Sequence, residues 1–188
     1  MSQPFTHLHL HTEYSILDGA CRIDAALGAA KEMGMDSLAI TDHGVMYGAL
    51  EFYQKAVDLE IRPILGSEVY IAPGGRLKKD TGLDEQPYHL VLIALNNAGY
   101  QNLMRIVTRG FTEGFYYRPR VDKEVLADHS EGLVALSACL KGEIPKRLLE
   151  GDAEAAGRAA DDYARIFGDG NFYIELMDHG IPEQAEVT

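Results

Sequence analysis

Apolar and polar positions along this chain follow two alternating regimes. Short, nearly continuous apolar runs fall at 37–41, 62–71, 88–95, 132–137 and 171–177. Runs of this kind, rich in Val, Ile and Leu, predict strands buried on both faces. Between them, apolar residues recur at helical spacing. Ile23, Leu27 and Ala30 ahead of Gly34 predict a helix over 23–33, and a second is predicted over 47–59. Tyr100, Leu103, Met104, Val107 and Phe111 predict a helix capped by Asn97. Ala153, Ala156, Ala160, Tyr163 and Phe167 predict another, capped by Asp152. Gly66, inside the 62–71 run, marks a bulge or a close backbone approach. Residues 73–86 are polar and turn-rich, which predicts a surface loop.

Near the N-terminus the pattern changes to strict alternation, His7-Leu8-His9-Leu10-His11. In an extended segment this puts the imidazoles on one face and the leucines on the other. Several stacked imidazoles are costly to bury without partners, about 1–3 kcal/mol each, so the pattern points to a ligand. Neutral imidazole is the commonest protein ligand of transition metals.

Strands alternating with amphipathic helices predict parallel β/α units covered on both faces. A doubly wound sheet and a barrel both satisfy this pattern. His11, His43, Glu68 and Cys139 fall at or near the C-terminal ends of predicted strands, the functional rim of such folds, which favours the barrel.

Composition narrows the setting. With 188 residues, 46% hydrophobic and 24% charged, the chain suits one domain with a sizeable core, or part of a larger one. No apolar run approaches the ~20 residues of a membrane span, so no membrane partner is expected. Two cysteines make no disulfide framework, and a cytoplasmic location is expected. A net charge of −12 argues against holding nucleic acid by a general electrostatic field. Bound divalent cations would offset that charge locally, or other domains would grip the duplex.

Seven residues carry candidate chemistry: His9, His11, Asp18, His43, Glu68, His89 and Cys139. Taken singly, His43 fits a strand-end turn, His89 a hydrogen-bonded core histidine, and Cys139 a small buried hydrophobe. Glu68, within Leu-Gly-Ser-Glu-Val-Tyr, is harder to place, because glutamate is rarely buried unpaired. Together, imidazoles, carboxylates and one thiolate make a ligand set for zinc or manganese. A shared carboxylate can bridge two ions about 3.5–4 Å apart, an arrangement suited to phosphoryl transfer. A second stretch, Arg109 through Arg120, interleaves Phe111, Phe115, Tyr116 and Tyr117 with Arg118 and Arg120. Such interleaving suits a frayed single strand, with Arg109, Tyr116, Arg118 and Arg120 as nucleic-acid contacts. It equally suits a loop whose aromatics fill the core and whose arginines pair with local acids.

The opening stretch His7-Leu-His-Leu-His-Thr-Glu-Tyr-Ser-Ile-Leu-Asp-Gly19 resembles the first motif of PHP (polymerase and histidinol phosphatase) domains. Its form is most similar to the branch at the N-terminus of bacterial DNA polymerase III alpha subunits. Thr41-Asp42-His43-Gly44, Gly66-Ser67-Glu68, Tyr88-His89-Leu90 and Ser137-Ala138-Cys139-Leu140 are similar to the family's later ligand segments. The last has cysteine where other PHP phosphatases use histidine. Gly99-Tyr-Gln-Asn-Leu103, Glu113-Gly-Phe-Tyr116 and the segment from Glu175 to Gln184 are also similar to the polymerase branch.

The resemblance implies a distorted (β/α)7 barrel, incomplete at the C-terminus, with residues 1–188 forming a PHP domain at the start of a much longer polymerase chain. It implies that the seven residues hold up to three divalent ions, which acidify water for attack on phosphorus, and that a magnesium-dependent polymerase site lies downstream. The expected activity is metal-dependent 3′–5′ exonucleolytic proofreading at a DNA 3′ primer end, with other polymerase III holoenzyme subunits as partners. Two alternatives remain: a non-catalytic, metal-stabilised scaffold that docks a separate proofreading subunit, and a small-molecule PHP phosphatase. One departure stands out. The Asp-x-His pair that closes the site in this branch is absent after Cys139, where Asp178-His179 are adjacent and read as a surface turn.

Overall fold

The computed structural model describes residues 5–79 and 86–188. In chain order the elements are α1 (Ile23–Glu32), β1 (Ser37–Ile40), α2 (Ala49–Asp58), β2 (Arg62–Ile71) and β3 (Tyr88–Ala94). They continue with α3 (Asn97–Thr112), β4 (Phe115–Tyr116), β5 (Arg118–Val121), α4 (Lys123–Asp128) and β6 (Leu133–Leu136). The last four are α5 (Glu143–Leu149), α6 (Ala153–Phe167), β7 (Phe172–Tyr173) and α7 (Pro182–Val187).

The sheet runs β4-β5-β2-β3-β6-β7, with β1 also paired to β2. It does not close among the described residues. It is mixed rather than parallel: β1 and β5 run parallel to β2, whereas β3 runs antiparallel to both β2 and β6. The reason lies in the connection. A parallel neighbour needs a crossover of a dozen or more residues, usually helical. No helix lies between β2 and β3 among the described residues, so the chain returns alongside β2 in the opposite direction. An apolar run looks the same in either direction, which is why the pattern alone implied parallel pairing.

Strand parity sorts core from site. Val69, Ile71, Tyr88, Leu90 and Leu92 pack with α3, α4 and α6 in the main core, centred on Leu103, Ile106, Val125 and Tyr163. A second cluster joins α1 and α2 to β1 through Ile23, Leu27, Phe52 and Leu38. The alternate positions, Glu68 and Tyr70 on β2 with His89 on β3, project from the other face, where Tyr70 and His89 are directly opposite. A carboxylate, a phenol and an imidazole are thereby gathered by the period of two.

Gly66 is a close approach, since a Cβ there would meet the Leu92 carbonyl oxygen at 2.5 Å. The helix predicted to start with Asn97 as cap is capped instead by Asn96, whose side chain accepts from Gly99 N. Its buried stripe is Leu103 and Ile106 with Gly99, Asn102 and Gly110, while Met104 and Phe111 are exposed. Asp152 caps α6 as its sequence predicts. Within the polar stretch after β2, residues 80–85 lie outside the described residues, and Arg76 is buried rather than exposed.

Candidate metal centre

Residues 7–11 run beside β1, with Ala39 N donating to His7 O at 3.0 Å and Thr41 N to Leu10 O at 2.9 Å. This extended run aims His9 and His11 into the molecule, their Nε2 atoms 3.1 Å apart. His7 diverges, exposed and edge-on to Phe5. The following turn is held by Asp42, which is 1% exposed. Its carboxylate accepts from Thr12 N, the Thr12 hydroxyl and the Ser15 hydroxyl at 2.6–2.7 Å. Gly19 completes the turn, because a Cβ there would overlap the Thr12 carbonyl. Asp18 is thus carried to the same cleft as His43, whose Nε2 lies 3.0 Å from Asp18 Oδ2.

Glu68 is the centre of the arrangement, with its side chain 1% exposed. Oε1 faces His9 Nε2 at 3.3 Å and His89 Nδ1 at 3.0 Å, while Oε2 faces His11 Nε2 at 3.3 Å and His43 Nδ1 at 2.7 Å. A lone buried glutamate would favour the neutral acid. Here burial pushes the pKa up, but His11, His43, His89 and His9 outweigh it and hold the carboxyl well below the usual range. Burial likewise works against charge on His9. Its hydrogen bonds to Glu175 and Glu68 prevail and push its pKa up to about 9. His43 is raised by Glu68 and Asp18 against the same burial.

Two atoms in this cluster lack a directed hydrogen bond among the described residues: His43 Nδ1 and Glu68 Oε2. They sit at ion-pair distance, yet their orientation does not make a hydrogen bond. Buried polar atoms without partners are rare in native structures, and a cation is one way to satisfy them. The donor set fits one. Three overlapping triads place ligand atoms within 4.8 Å of one another: His9-His11-Glu68, His11-Asp18-His43 and His43-Glu68-His89. Glu68 belongs to two of them, in the position of a bridging carboxylate.

Six of the seven predicted residues therefore come together. Cys139 stands one step off, its Sγ 4.0 Å from both Glu68 Oε1 and His89 Nδ1, and burial next to Glu68 pushes its thiol pKa up. Glu175 was missed as a site residue. It follows β7, accepts from His9 Nδ1 at 2.9 Å, and is held by its own N–H donating to Ser137 Oγ. A ring nitrogen fixed by a carboxylate leaves the other nitrogen oriented for a ligand. It opens a segment that resembles the polymerase branch, but nothing local marked it as the partner of a ligand, since that partner is 166 residues away. Asp178 and His179 form a turn bound to Gln184 and Gly180, outside the triads.

The four predicted nucleic-acid contacts separate. Arg118 lines the cleft beside His43 and His89. Arg109 pairs with Glu113 on another face. Arg120 is 8% exposed and donates to the carbonyls of Gly114 and Lys78, with its guanidinium over the Tyr116 ring. Arg120 and Tyr116 thus support the loop from within.

Fold and cleft define an α/β protein with a His/Asp/Glu cluster suited to divalent metal ions. The chain belongs to the PHP domain family, whose model matches residues 7–179. DNA polymerase III subunit alpha of Treponema pallidum is 45% identical over 186 residues, covering 98% of this chain and 16% of that protein. The Thermus aquaticus subunit is 45% identical over 188 residues, covering 98% and 15%. This chain therefore spans about a sixth of the length of the relatives it matches. Among solved structures, a Bifidobacterium adolescentis protein described as a metal-dependent phosphoesterase aligns at 14% identity with TM-score 0.55. That alignment covers 98% of this chain and 83% of the other, a likeness of fold. Among the described residues no helix is long and apolar enough to cross a membrane.

Proposed function

We propose that this PHP domain hydrolyses phosphodiesters with divalent metal ions, removing nucleotides from DNA 3′ ends as the proofreading part of a DNA polymerase III alpha chain. The observation that carries this reading is Glu68, a buried carboxylate ringed by four imidazoles, with two polar atoms left unpartnered. His9, His11, Asp18, His43, Glu68, His89 and Cys139 would hold the ions, zinc or manganese. When bound, such ions supply an acidified water and charge neutralisation at the phosphate. The protein's own contribution is orientation. Glu175 fixes the His9 ring, Asp42 fixes the turn bearing Asp18, and the sheet register fixes Glu68 against His89. Asp18, with its side chain 55% exposed, marks the open side from which a phosphate enters. Closure of the sheet into a (β/α)7 barrel, with an Asp-x-His pair on a strand added beyond β7, is the finer form of this reading.

The scaffold reading has one observation in its favour: each imidazole already has a carboxylate within 3.3 Å, so the cluster coheres by itself. The test uses the full-length natural chain, assayed on a 3′-labelled single strand with zinc or manganese. His11→Ala should abolish 3′-end removal while polymerisation stays within about tenfold, since the ligands serve this cleft alone. Surviving hydrolysis would assign the activity elsewhere. Full metal content without hydrolysis would establish the scaffold.

A further inference from the structure

The cleft beside the cluster has a second wall that the metal ligands do not explain. Asp18, His43 and His89 line it together with Tyr117, Arg118 and Lys141. Tyr117 is 83% exposed, and its backbone lies in the left-handed region at φ +58°. A bulky side chain is uncommon there, where glycine is at ease. The ring nevertheless has a neighbour to rest on. It packs edge-on against Tyr116 at 4.6 Å, Tyr116 lies under the Arg120 guanidinium at 5.0 Å, and Arg120 is anchored to buried carbonyls. The result is an aromatic ring exposed to solvent at the end of a stack of three side chains, Tyr117, Tyr116 and Arg120.

The two cations beside it are unusual for so acidic a chain. Arg118 donates to the Tyr70 hydroxyl at 2.9 Å and covers the Tyr70 ring at 5.1 Å. That ring in turn lies parallel to His43, centroids 5.8 Å apart. Arg118 therefore stands one ring away from the ligand cluster. Neither Arg118 nor Lys141 has a carboxylate within ion-pair distance among the described residues, and both are exposed. Positive groups without a carboxylate partner among the described residues, next to an exposed aromatic ring, match the phosphate and the base of one nucleotide.

We propose that this wall is a clamp for a single-stranded DNA 3′ end: Tyr117 stacks on a base, and Arg118 with Lys141 holds a strand phosphate. The clamp rests on the phosphodiesterase reading for its catalytic consequence. Because stacking needs a bare base face, it selects a frayed end over a paired one, without sequence preference. It also separates nucleotide substrates from small phosphate esters that carry no base.

The experiment uses the full-length chain with two probes: a single strand ending in 3′ 2-aminopurine, and methyl p-nitrophenyl phosphate, which has no base. Tyr117→Gly removes the ring while relaxing the backbone, so loss through misfolding is not expected; Tyr117→Phe keeps the ring. Tyr117→Gly and Arg118→Ala should each raise KM for the strand about tenfold with kcat within about twofold. Turnover of the base-free ester should be unchanged in Tyr117→Gly, and Tyr117→Phe should behave as the unaltered protein. In the presence of a chelator, 2-aminopurine fluorescence should be quenched on binding, and less so with Tyr117→Gly. An unchanged KM and unchanged quenching in both variants would overturn the clamp. Equal losses of Tyr117→Gly on both probes would overturn it too, by making the ring structural. Quenching that depends on Tyr117 in a protein that hydrolyses neither probe would keep the clamp and discard the phosphodiesterase reading.

Discussion

Two buried charges organise this molecule, and they are near mirror images. Arg76, with its side chain 8% exposed, is one cation among three carboxylates: Nε donates to Glu113 at 2.7 Å, and Nη1 to Asp122 and Glu124 at 3.0 Å. Glu68, 1% exposed, is one anion among four imidazoles. The Arg76 cluster leaves no buried polar atom unsatisfied among the described residues, whereas the Glu68 cluster leaves two. A satisfied cluster of this kind fastens the segment after β2 to α4, and its interactions are complete. The unsatisfied one retains coordination capacity. Charge burial alone does not distinguish structure from chemistry; the residual valence does.

The strongest way to break the comparison is to neutralise its two centres. Glu68→Gln keeps the volume and removes the charge that faces the four imidazoles. Metal content should fall to a trace by elemental analysis, and 3′-end hydrolysis about a thousandfold or more, as expected when an essential group is lost. Arg76→Met should act on stability instead, costing about 3 kcal/mol because Asp122 and Glu113 lose their counter-charge. Its denaturant midpoint should drop, while metal content per folded molecule stays at the level of the unaltered protein.

Chelation sharpens the same contrast by about 2–3 kcal/mol, the stabilisation given by a ligand near a hundred times its dissociation constant. Excess EDTA should lower Tm in the unaltered protein and in Arg76→Met, and leave Glu68→Gln where it was. A Tm insensitive to EDTA in the metal-loaded, unaltered protein would place the ions outside the folded site. The smallest effect concerns acid. Burial opposes the charge of Asp122, but the Arg76 and Val125 backbone N–H groups and the Arg76 guanidinium hold its carboxyl below the ordinary value. The stability this confers is complete above the unfolded value near 3.9 and is lost as pH falls through the lower folded value. Asp122→Asn should flatten that acid limb in thermal scans from pH 5 to 2, leaving the neutral region only shifted.

Much of this was legible from local pattern, and the failures have physical reasons. The bounds of β2 and the buried stripe of α1 follow from periodicity, because both elements bury one continuous surface. His9, His11, Glu68 and His89 were visible as polar groups in apolar company, and His43 by its place at the end of a predicted strand. The direction of β3 was not, since pairing depends on what joins two strands rather than on their composition. Arg118 and Arg120 carry the same local signal. Only the carbonyls of Gly114 and Lys78, brought close by the fold, turn Arg120 inward and leave Arg118 on the cleft. Glu175 belongs with these: its role exists only once the sheet has placed β7 beside β6.

That last contact also sets a schedule. A ribosome releases His9 before the carboxylate that steadies it, which comes 166 positions later. During synthesis His9 must wait, unpaired with Glu175, until that residue has emerged and β7 has docked on β6. Loop closure over such a span is among the slowest contacts a domain makes. The oriented form of the His9 ring therefore forms only after 166 further residues have been made, and a chain cut short before residue 175 would carry the ligands without that means of aiming the first of them.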